Sequence, residues 1–509
     1  MGSDVKTNDK RIAKNTLLLY FRQFLILAVT LYTSRVILQT LGVEDYGIYN
    51  VVGGVVSMMG MLNASMSVAT QRYLTYELGR GDKDRLKMTF STSFFIYLIL
   101  GAILIILAES VGVWFVNTHL VIPDDRIVAA NWVFQLSILA SINTLLVNPF
   151  NACIIAHEKM GVYAYVSILD VSLKLAVAYA LLASPFDRLI TYGILILVSQ
   201  LIITMIYRVY CIRHFEECHL VLKKDDEMFK QILSFSGWNL FGSIASLFKT
   251  QGLNIVINMF FAPAVNASRG IAVQINHAVT QFTSNFYTAF RPQITKYCAQ
   301  GDYYNMIRLV NKSSIYSYYL IMLITMPILI ETPAIIQLWL GQTPDYVISF
   351  TRLIIIISAV DSMAHPLMTV AQAVGNMKLY QSVLAPIILL NVPFSYIALK
   401  LGAEPTAVFY ISVALSTVCL IARVFLVRLL VQFPAYEYFK NVYLKGFLVT
   451  IISALFPLTI KHLINESVIS TILILGCCVL SSMVVIYLIG IGQEERDFVK
   501  QFVKKKIKK

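Results

Sequence analysis

Four cations stand inside stretches of sequence that are otherwise strongly apolar: Arg22, Arg72, Lys249 and Arg291. A charge at the middle of a bilayer costs at least about 2.5–3.5 kcal/mol on the insertion scale, so each is a functional candidate by default. Arg22 lies about 9 Å from the inner end of its segment at a helical rise of 1.5 Å per residue, and Lys249 falls near the middle of its own. Guanidinium and ammonium groups offer charge-assisted hydrogen bonds to an anion, phosphate above all. Arg35 and Arg269 stand at segment ends, where a long side chain reaches the interface without further purpose, and the same plain reading is open to Arg72 and Arg291. The acids are fewer. Asp170 and Lys174 are spaced to neutralise each other on one helix face. Asp361 and Glu109 are isolated, and Asp170 and Asp361 are the candidates for coupling to a cation, with helix-contact hydrogen bonding as the alternative.

The neutral polar residues are patterned as well. Ser236, Asn239, Ser243, Ser246, Thr250 and Asn254 recur at steps of three and four, which places them in one stripe along a helix. Gln274, His277, Gln281, Ser284, Asn285 and Thr288 form a second stripe, and Asn15, Arg22, Gln23, Thr30, Thr33 and Ser34 a third. Ser and Thr are ordinary glue between packed membrane helices. Asn, Gln, His and a cation running the length of a span are better accounted for by a water-filled cavity.

The elements that carry these residues are membrane spans. Of 509 residues, 58% are hydrophobic and 14% charged, and the mean hydropathy is +0.71. A soluble domain is about 45–50% apolar and about 25% charged. The apolar stretches reach the roughly 20 residues that cross a bilayer as a helix, and none shows the strict alternation of a barrel strand. The expected class is therefore an all-α integral membrane protein with fourteen transmembrane helices. The spans fall near 15–40, 46–71, 88–116, 127–152, 161–183, 189–211, 232–260, 266–290, 313–340, 348–374, 379–400, 405–431, 442–463 and 468–490.

Loop charges test the count. One side collects Arg80, Lys83, Arg85, Lys87, Lys159, Arg213, Lys223, Lys224, Lys230, Lys296, Arg308, Lys378, Lys440 and Lys445, with the basic N-terminus and the tail of lysines at 504–509. The other side holds Arg126, Arg188, Lys400 and Lys461 beside acids such as Glu44, Asp45, Asp124 and Asp125. The alternation holds to the end of the chain, which places both termini in the cytoplasm. The formal charge of +13 then reports topology and an anionic inner leaflet, with no nucleic-acid partner implied. The seven cysteines show no metal-ligand spacing and read as small buried apolar residues; neither a metal nor a cofactor is expected.

The charged loop at 212–231 falls near the middle and reads as a linker between halves. Shifted by 220 residues, Thr75–Asp82 lies over Thr295–Asp302, both ending in Gly-Asp, and Thr16, Gln23, Thr30 and Ser34 lie over Ser236, Ser243, Thr250 and Asn254. An internal repeat of this length is common in transporters. The expected organisation is an N-lobe of six spans at 1–220, a C-lobe of six at 221–432, and two further spans with a basic cytoplasmic tail at 433–509.

The segment from Arg35 to Tyr49, with Gly42, Glu44, Asp45, Tyr46 and Gly47, resembles the first-loop signature of bacterial polysaccharide and O-antigen flippases of the multidrug/oligosaccharidyl-lipid/polysaccharide (MOP) exporter superfamily. The loop at Gly81-Asp82 is similar to theirs, and the resemblance covers nearly the whole chain. It implies two pseudo-symmetric six-helix lobes around a central cavity, with the last two spans as additions that guide a lipid tail. It also implies a function without enzymatic chemistry: an undecaprenyl-pyrophosphate-linked oligosaccharide is moved from the cytoplasmic to the periplasmic leaflet of the bacterial inner membrane by alternating access. That supplies surface polysaccharide such as O-antigen or capsule, with a polysaccharide polymerase as protein partner. On this reading Arg22, Arg72, Lys249 and Arg291 hold the pyrophosphate. Gln23, Asn239, Asn254, Gln274, His277, Gln281 and Asn285 follow the sugar hydroxyls. Prolines 149, 327, 366, 386 and 393 mark where spans can kink during rocking.

Three alternatives remain open at this stage. A cation-coupled multidrug exporter of the same superfamily would need buried acids in its first lobe, and the first two spans hold none within their apolar lengths. A peptidoglycan-precursor flippase shares the span count. A membrane glycosyltransferase could use Glu44 and Asp45, but such enzymes usually carry a sizeable outer domain.

Overall fold

The computed structural model describes the whole chain except residues 1, 58–59, 119–121, 222–224, 262, 465–466, 494 and 498–509. Lys223, Lys224, Glu466 and the lysine tail thus lie outside the described residues. Helices dominate, and there is no strand among the described residues. That outcome follows from the solvent: in hydrocarbon a helix satisfies its own backbone, which an open sheet edge cannot do.

In chain order the helices are α1 (Gly2–Ser57), α2 (Gly60–Arg80), α3 (Lys83–Thr118), α4 (Ile127–Ala156), α5 (Met160–Leu182), α6 (Arg188–His214), α7 (Asp226–Phe260), α8 (Pro263–Ala299), α9 (Tyr303–Ile330), α10 (Thr332–Leu340), α11 (Val347–Ser362), α12 (His365–Val374), α13 (Met377–Lys400), α14 (Ala407–Val431), α15 (Ala435–Leu463) and α16 (Val468–Gly490). Among the described residues eleven helices are long and apolar enough to cross a membrane, or twelve when α11 and α12, bent by 40°, count as one span. Pro366, in the first turn of α12, stands at that bend.

Of the two remaining expected spans, 46–71 runs over residues outside the described ones, and 266–290 is helical but too polar to qualify on composition. They are the pair that the 220-residue shift superposes. The first of them does not begin as a separate helix: α1 runs into it as far as Ser57, broken at Gly42, whose φ of 82° and ψ of 168° only glycine adopts readily.

The chain forms two compact units. The first contains the residues up to Ser243 together with Thr288–Gly301, and the second Ile244–Tyr287 and the chain from Asp302 onward. Helices α7 and α8 contribute to both. In the first unit, α4 packs along α6 and α1 along α5. One core gathers Phe90, Phe150, Ile154, Ile203 and Tyr207; another gathers Ile37, Leu41, Val177, Leu181 and Tyr192. In the second, α14 packs on α11 and α13, around Ile257, Phe350, Val408 and Phe409. The last two helices pack on each other and on α9. Tyr318 shares a hydroxyl hydrogen bond with Thr450 at 2.6 Å, Tyr319 donates to the Gly490 carbonyl at 3.2 Å, and Ser481 donates to the Ser453 carbonyl at 2.8 Å.

The repeat is visible in local geometry. Gly81 and Gly301 both take left-handed φ, 76° and 71°, and the aspartates that follow cap the next helix: Asp82 accepts the Arg85 N–H and Asp302 the Asn305 N–H. Glycine just past the end of one helix and aspartate as the cap of the next is what such a tight reversal requires. Equivalent residues also meet. Arg291 Nη1 donates to Gln71 Oε1 at 3.3 Å, and these positions are 220 apart. A Cβ placed on Gly79 would stand 2.8 Å from that of Ala299, its own equivalent, and 3.1 Å from the Lys296 backbone. The ends of α2 and α8 thus approach each other closely within the first unit.

Candidate functional site

Three of the four predicted anion-holding cations belong to the first unit. Arg22 is buried, 9% exposed, with its guanidinium carbon 4.7 Å from the centre of the Tyr163 ring. One turn earlier, Leu19 packs with Ile155, Met160 and Ala289, and Tyr163 lies against that same cluster. Ala289 stands two residues before Arg291 on α8. Arg291 is held by Gln71, and the neighbouring Arg72 lies over Tyr73, Tyr76 and Phe235 at 4.4, 4.7 and 5.8 Å. Stacking occupies the face of a guanidinium, whereas a phosphate is gripped by its in-plane N–H edge, so both can be made at once. Gln23 follows Arg22 and is partly buried.

Lys249 belongs to the second unit, partly buried on α7. It feels the charge of Asp361, whose carboxylate is 3.7 Å from Arg423. Arg423, on α14, was not singled out from the sequence; it sits in an apolar helix with no partner nearby along the chain. Asp361 thus has a cation beside it, and Asp170 accepts from Lys174 at 2.7 Å as their i,i+4 spacing anticipates. Glu109 accepts from Gln135 at 3.1 Å.

The polar stripes mostly bond back to their own helices. Ser236, Asn239, Ser243 and Thr250 each donate to the carbonyl four residues earlier, and Ser284 to the carbonyl of Gln281. Such bonds satisfy a hydroxyl without joining two helices. Gln274, His277 and Gln281 present exposed side chains on α8, as a wetted face requires. The side chain of Asn285 lies outside the described residues. Asn254 is engaged differently: it accepts from Arg269 Nη1 at 3.2 Å, while Arg269 Nη2 donates to the Thr250 carbonyl at 2.6 Å. Arg269 is 8% exposed, so it turns inward onto α7 where an interfacial reach was equally open from sequence.

At the end of the first unit that carries Arg80 and Lys83, Glu158 takes a left-handed φ of 57° in the turn between α4 and α5. Its carboxylate accepts from Lys296 Nζ at 2.7 Å and Gln293 Nε2 at 2.6 Å. Sequence alone did not suggest this pair, because its members are 138 residues apart. Close by, a cavity of about 300 Å³ is lined by Glu77, Lys83, Lys87, His157, His214 and Glu217 among others. At the opposite end, Arg126 donates to both Asp45 and Asp187. Burial pushes the Asp187 carboxyl up, but the Ile190 N–H and the Arg126 guanidinium outweigh it and hold the group below its usual range.

No protein-family profile matches the chain, and no curated protein does. Solved structures do. A MATE transporter in a bent conformation aligns with a TM-score of 0.71 at 14% identity over 86% of this chain and 97% of its own. An outward-facing multidrug-resistance MATE transporter of the MOP superfamily aligns at 0.70, with 14% identity over 84% and 96%. A MOP-superfamily transporter from Pyrococcus furiosus, described as having a binding pocket of reversed polarity that suggests a different function, aligns at 0.67, with 14% identity over 83% and 96%. The chain has the fold of MOP-superfamily transporters, solved examples of which are MATE proteins, and it is a multi-pass membrane protein.

Proposed function

We propose that the protein is a flippase for a polyprenyl-pyrophosphate-linked oligosaccharide, moving it across the bacterial inner membrane by alternating access for surface polysaccharide synthesis. The observation that carries this reading is the charge of the candidate site. Arg22, Arg72 and Arg291 gather in one unit against aromatic rings and an amide. A pyrophosphate brings two to three negative charges and needs such cations to enter an apolar environment. The exposed Gln274, His277 and Gln281 suit sugar hydroxyls. Helices α15 and α16, docked on α9, offer an apolar flank for a polyprenyl tail. Both termini face the cytoplasm on this reading, and a polysaccharide polymerase receives the product.

The fold alone fits a cation-coupled multidrug exporter or a peptidoglycan-precursor flippase equally well. Against the exporter stands the pairing of the candidate acids: Asp170 with Lys174 and Asp361 with Arg423. The test is export in cells. Arg22→Ala and Lys249→Ala should each abolish surface polysaccharide while membrane expression stays normal. Wild-type export from both variants would remove the basic site from the mechanism.

A further inference from the structure

Cys153, His157 and Glu217 stand 64 residues apart at most, in a chain whose cysteine spacing suggests no metal site, yet their ligand atoms all lie within 4.8 Å of one another. Cys153, in the last turn of α4, is fully buried, and Glu217 is 4% exposed. The Cys153 Sγ donates to Glu217 Oε1 at 3.2 Å, and the same oxygen pairs with His157 Nε2. A second thiol, that of Cys218, is 3.7 Å from the Cys153 sulfur. His157 is fixed by stacking on Phe215 with ring centres 4.1 Å apart.

We propose that these residues form a binding site for a zinc-class divalent cation, with Cys153, His157, Glu217 and Cys218 as its four ligands. The spacing fits a tetrahedron. With Zn–S bonds of about 2.3 Å and Zn–N or Zn–O bonds of about 2.0 Å, two thiolates on one ion stand about 3.7 Å apart and a thiolate and a carboxylate oxygen about 3.5 Å. The observed sulfur–sulfur and sulfur–oxygen separations are 3.7 and 3.2 Å. The Cys218 sulfur, which stands outside the group of three, must turn toward His157 and Glu217, and the His157–Glu217 contact must open to about 3.3 Å. His157 can supply that movement, because its side chain is 24% exposed and borders the cavity of about 300 Å³ that Glu217 also lines. The cavity gives the ion an entry path. The donor set of two sulfurs, one imidazole and one carboxylate selects zinc over the hard cations magnesium and calcium. Binding releases two thiol protons to water, and the Nε2 proton that His157 turns to Glu217 must pass to Nδ1 or to water before that nitrogen can ligate. The bound ion ties the segment 215–218, which leads toward α7, to the end of α4.

The full chain, purified in detergent without chelator, should contain stoichiometric zinc by plasma mass spectrometry. Chelation should lower its unfolding temperature, and zinc should restore it. Cobalt added to the stripped protein should give visible bands of a tetrahedral ion and a near-ultraviolet thiolate-to-cobalt band. That band should be lost in Cys153→Ser, weakened in Cys218→Ser and unchanged in Cys419→Ser. Absence of zinc together with no cobalt spectrum from the wild-type chain overturns the site, as does a mass two hydrogens lower from a Cys153–Cys218 disulfide in the freshly isolated protein. An unchanged band in Cys218→Ser overturns the four-ligand set. None of these readouts depends on what the protein transports.

Discussion

Replacing Glu158 with alanine removes the acceptor shared by Lys296 and Gln293 at the end of α8. The carboxylate is 1% exposed and Lys296 is 23% exposed, while Gln293 is buried. Breaking one partner of a buried ion pair costs about 3–5 kcal/mol, because the other charge is left without compensation. Lys296 keeps partial access to water, so the loss should lie near the lower limit, about 3 kcal/mol. Lys296→Met leaves the more deeply buried carboxylate behind and should cost at least as much. The double variant carries neither charge, and it should be less destabilised than the sum of the singles by about 2 kcal/mol. Glu158→Gly separates charge from backbone. The left-handed φ of 57° costs an ordinary residue about 1–2 kcal/mol that glycine does not incur. The glycine variant should therefore be more stable than the alanine variant by about 1 kcal/mol. Unfolding in mixed detergent micelles titrated with SDS measures all four. Single variants as stable as the wild type, or a double variant equal to the sum of the singles, would refute the buried pair.

Other consequences are as direct. Gly79→Val should destabilise by about 1–3 kcal/mol through overpacking, since even a Cβ at this position meets Ala299 and the Lys296 backbone; thermal unfolding checks it, and Gly53→Val, where nothing lies within 4 Å, is the control. Asp187 has its folded pKa depressed, so its contribution is fully present above the unfolded value of about 3.9 and is lost as pH falls through the lower folded value. The stability difference between wild type and Asp187→Asn should thus be constant above about pH 5 and shrink below about pH 4. Tyr319→Phe removes the hydroxyl that bonds the Gly490 carbonyl and should cost about 0.5–1.5 kcal/mol, read as earlier melting in detergent.

How much of this was legible depends on whether the information was local. Gly81-Asp82 and Gly301-Asp302 announced a helix stop and a helix cap in adjacent residues, and both halves carry the geometry. Asp170 and Lys174 pair because four residues make one helical turn. The all-helical membrane class followed from composition. The span count was harder. Residues 266–290 were expected as a span from the alternation of loop charges, but they carry Gln274, His277 and Gln281, so apolarity alone does not mark them. Long-range pairings left no trace in the sequence. Glu158 with Lys296, Asp361 with Arg423, and Cys153 with Glu217 and Cys218 are each made by helices that meet only after folding. Arg269 shows the same limit, since its position permitted either an interfacial reach or the turn onto Asn254 that it takes.

The central claim is that a basic site carries a pyrophosphate-linked glycan across the bilayer. The most direct measurement is flipping of a lipid-linked oligosaccharide in proteoliposomes, followed by its protection from a membrane-impermeant glycosidase or lectin. The wild-type protein should equilibrate the substrate between leaflets, and Arg22→Ala and Lys249→Ala should each reduce the rate at least tenfold at equal reconstitution. A wild-type protein that leaves the lipid-linked glycan in place while it drives a cationic drug against an ion gradient would contradict the account.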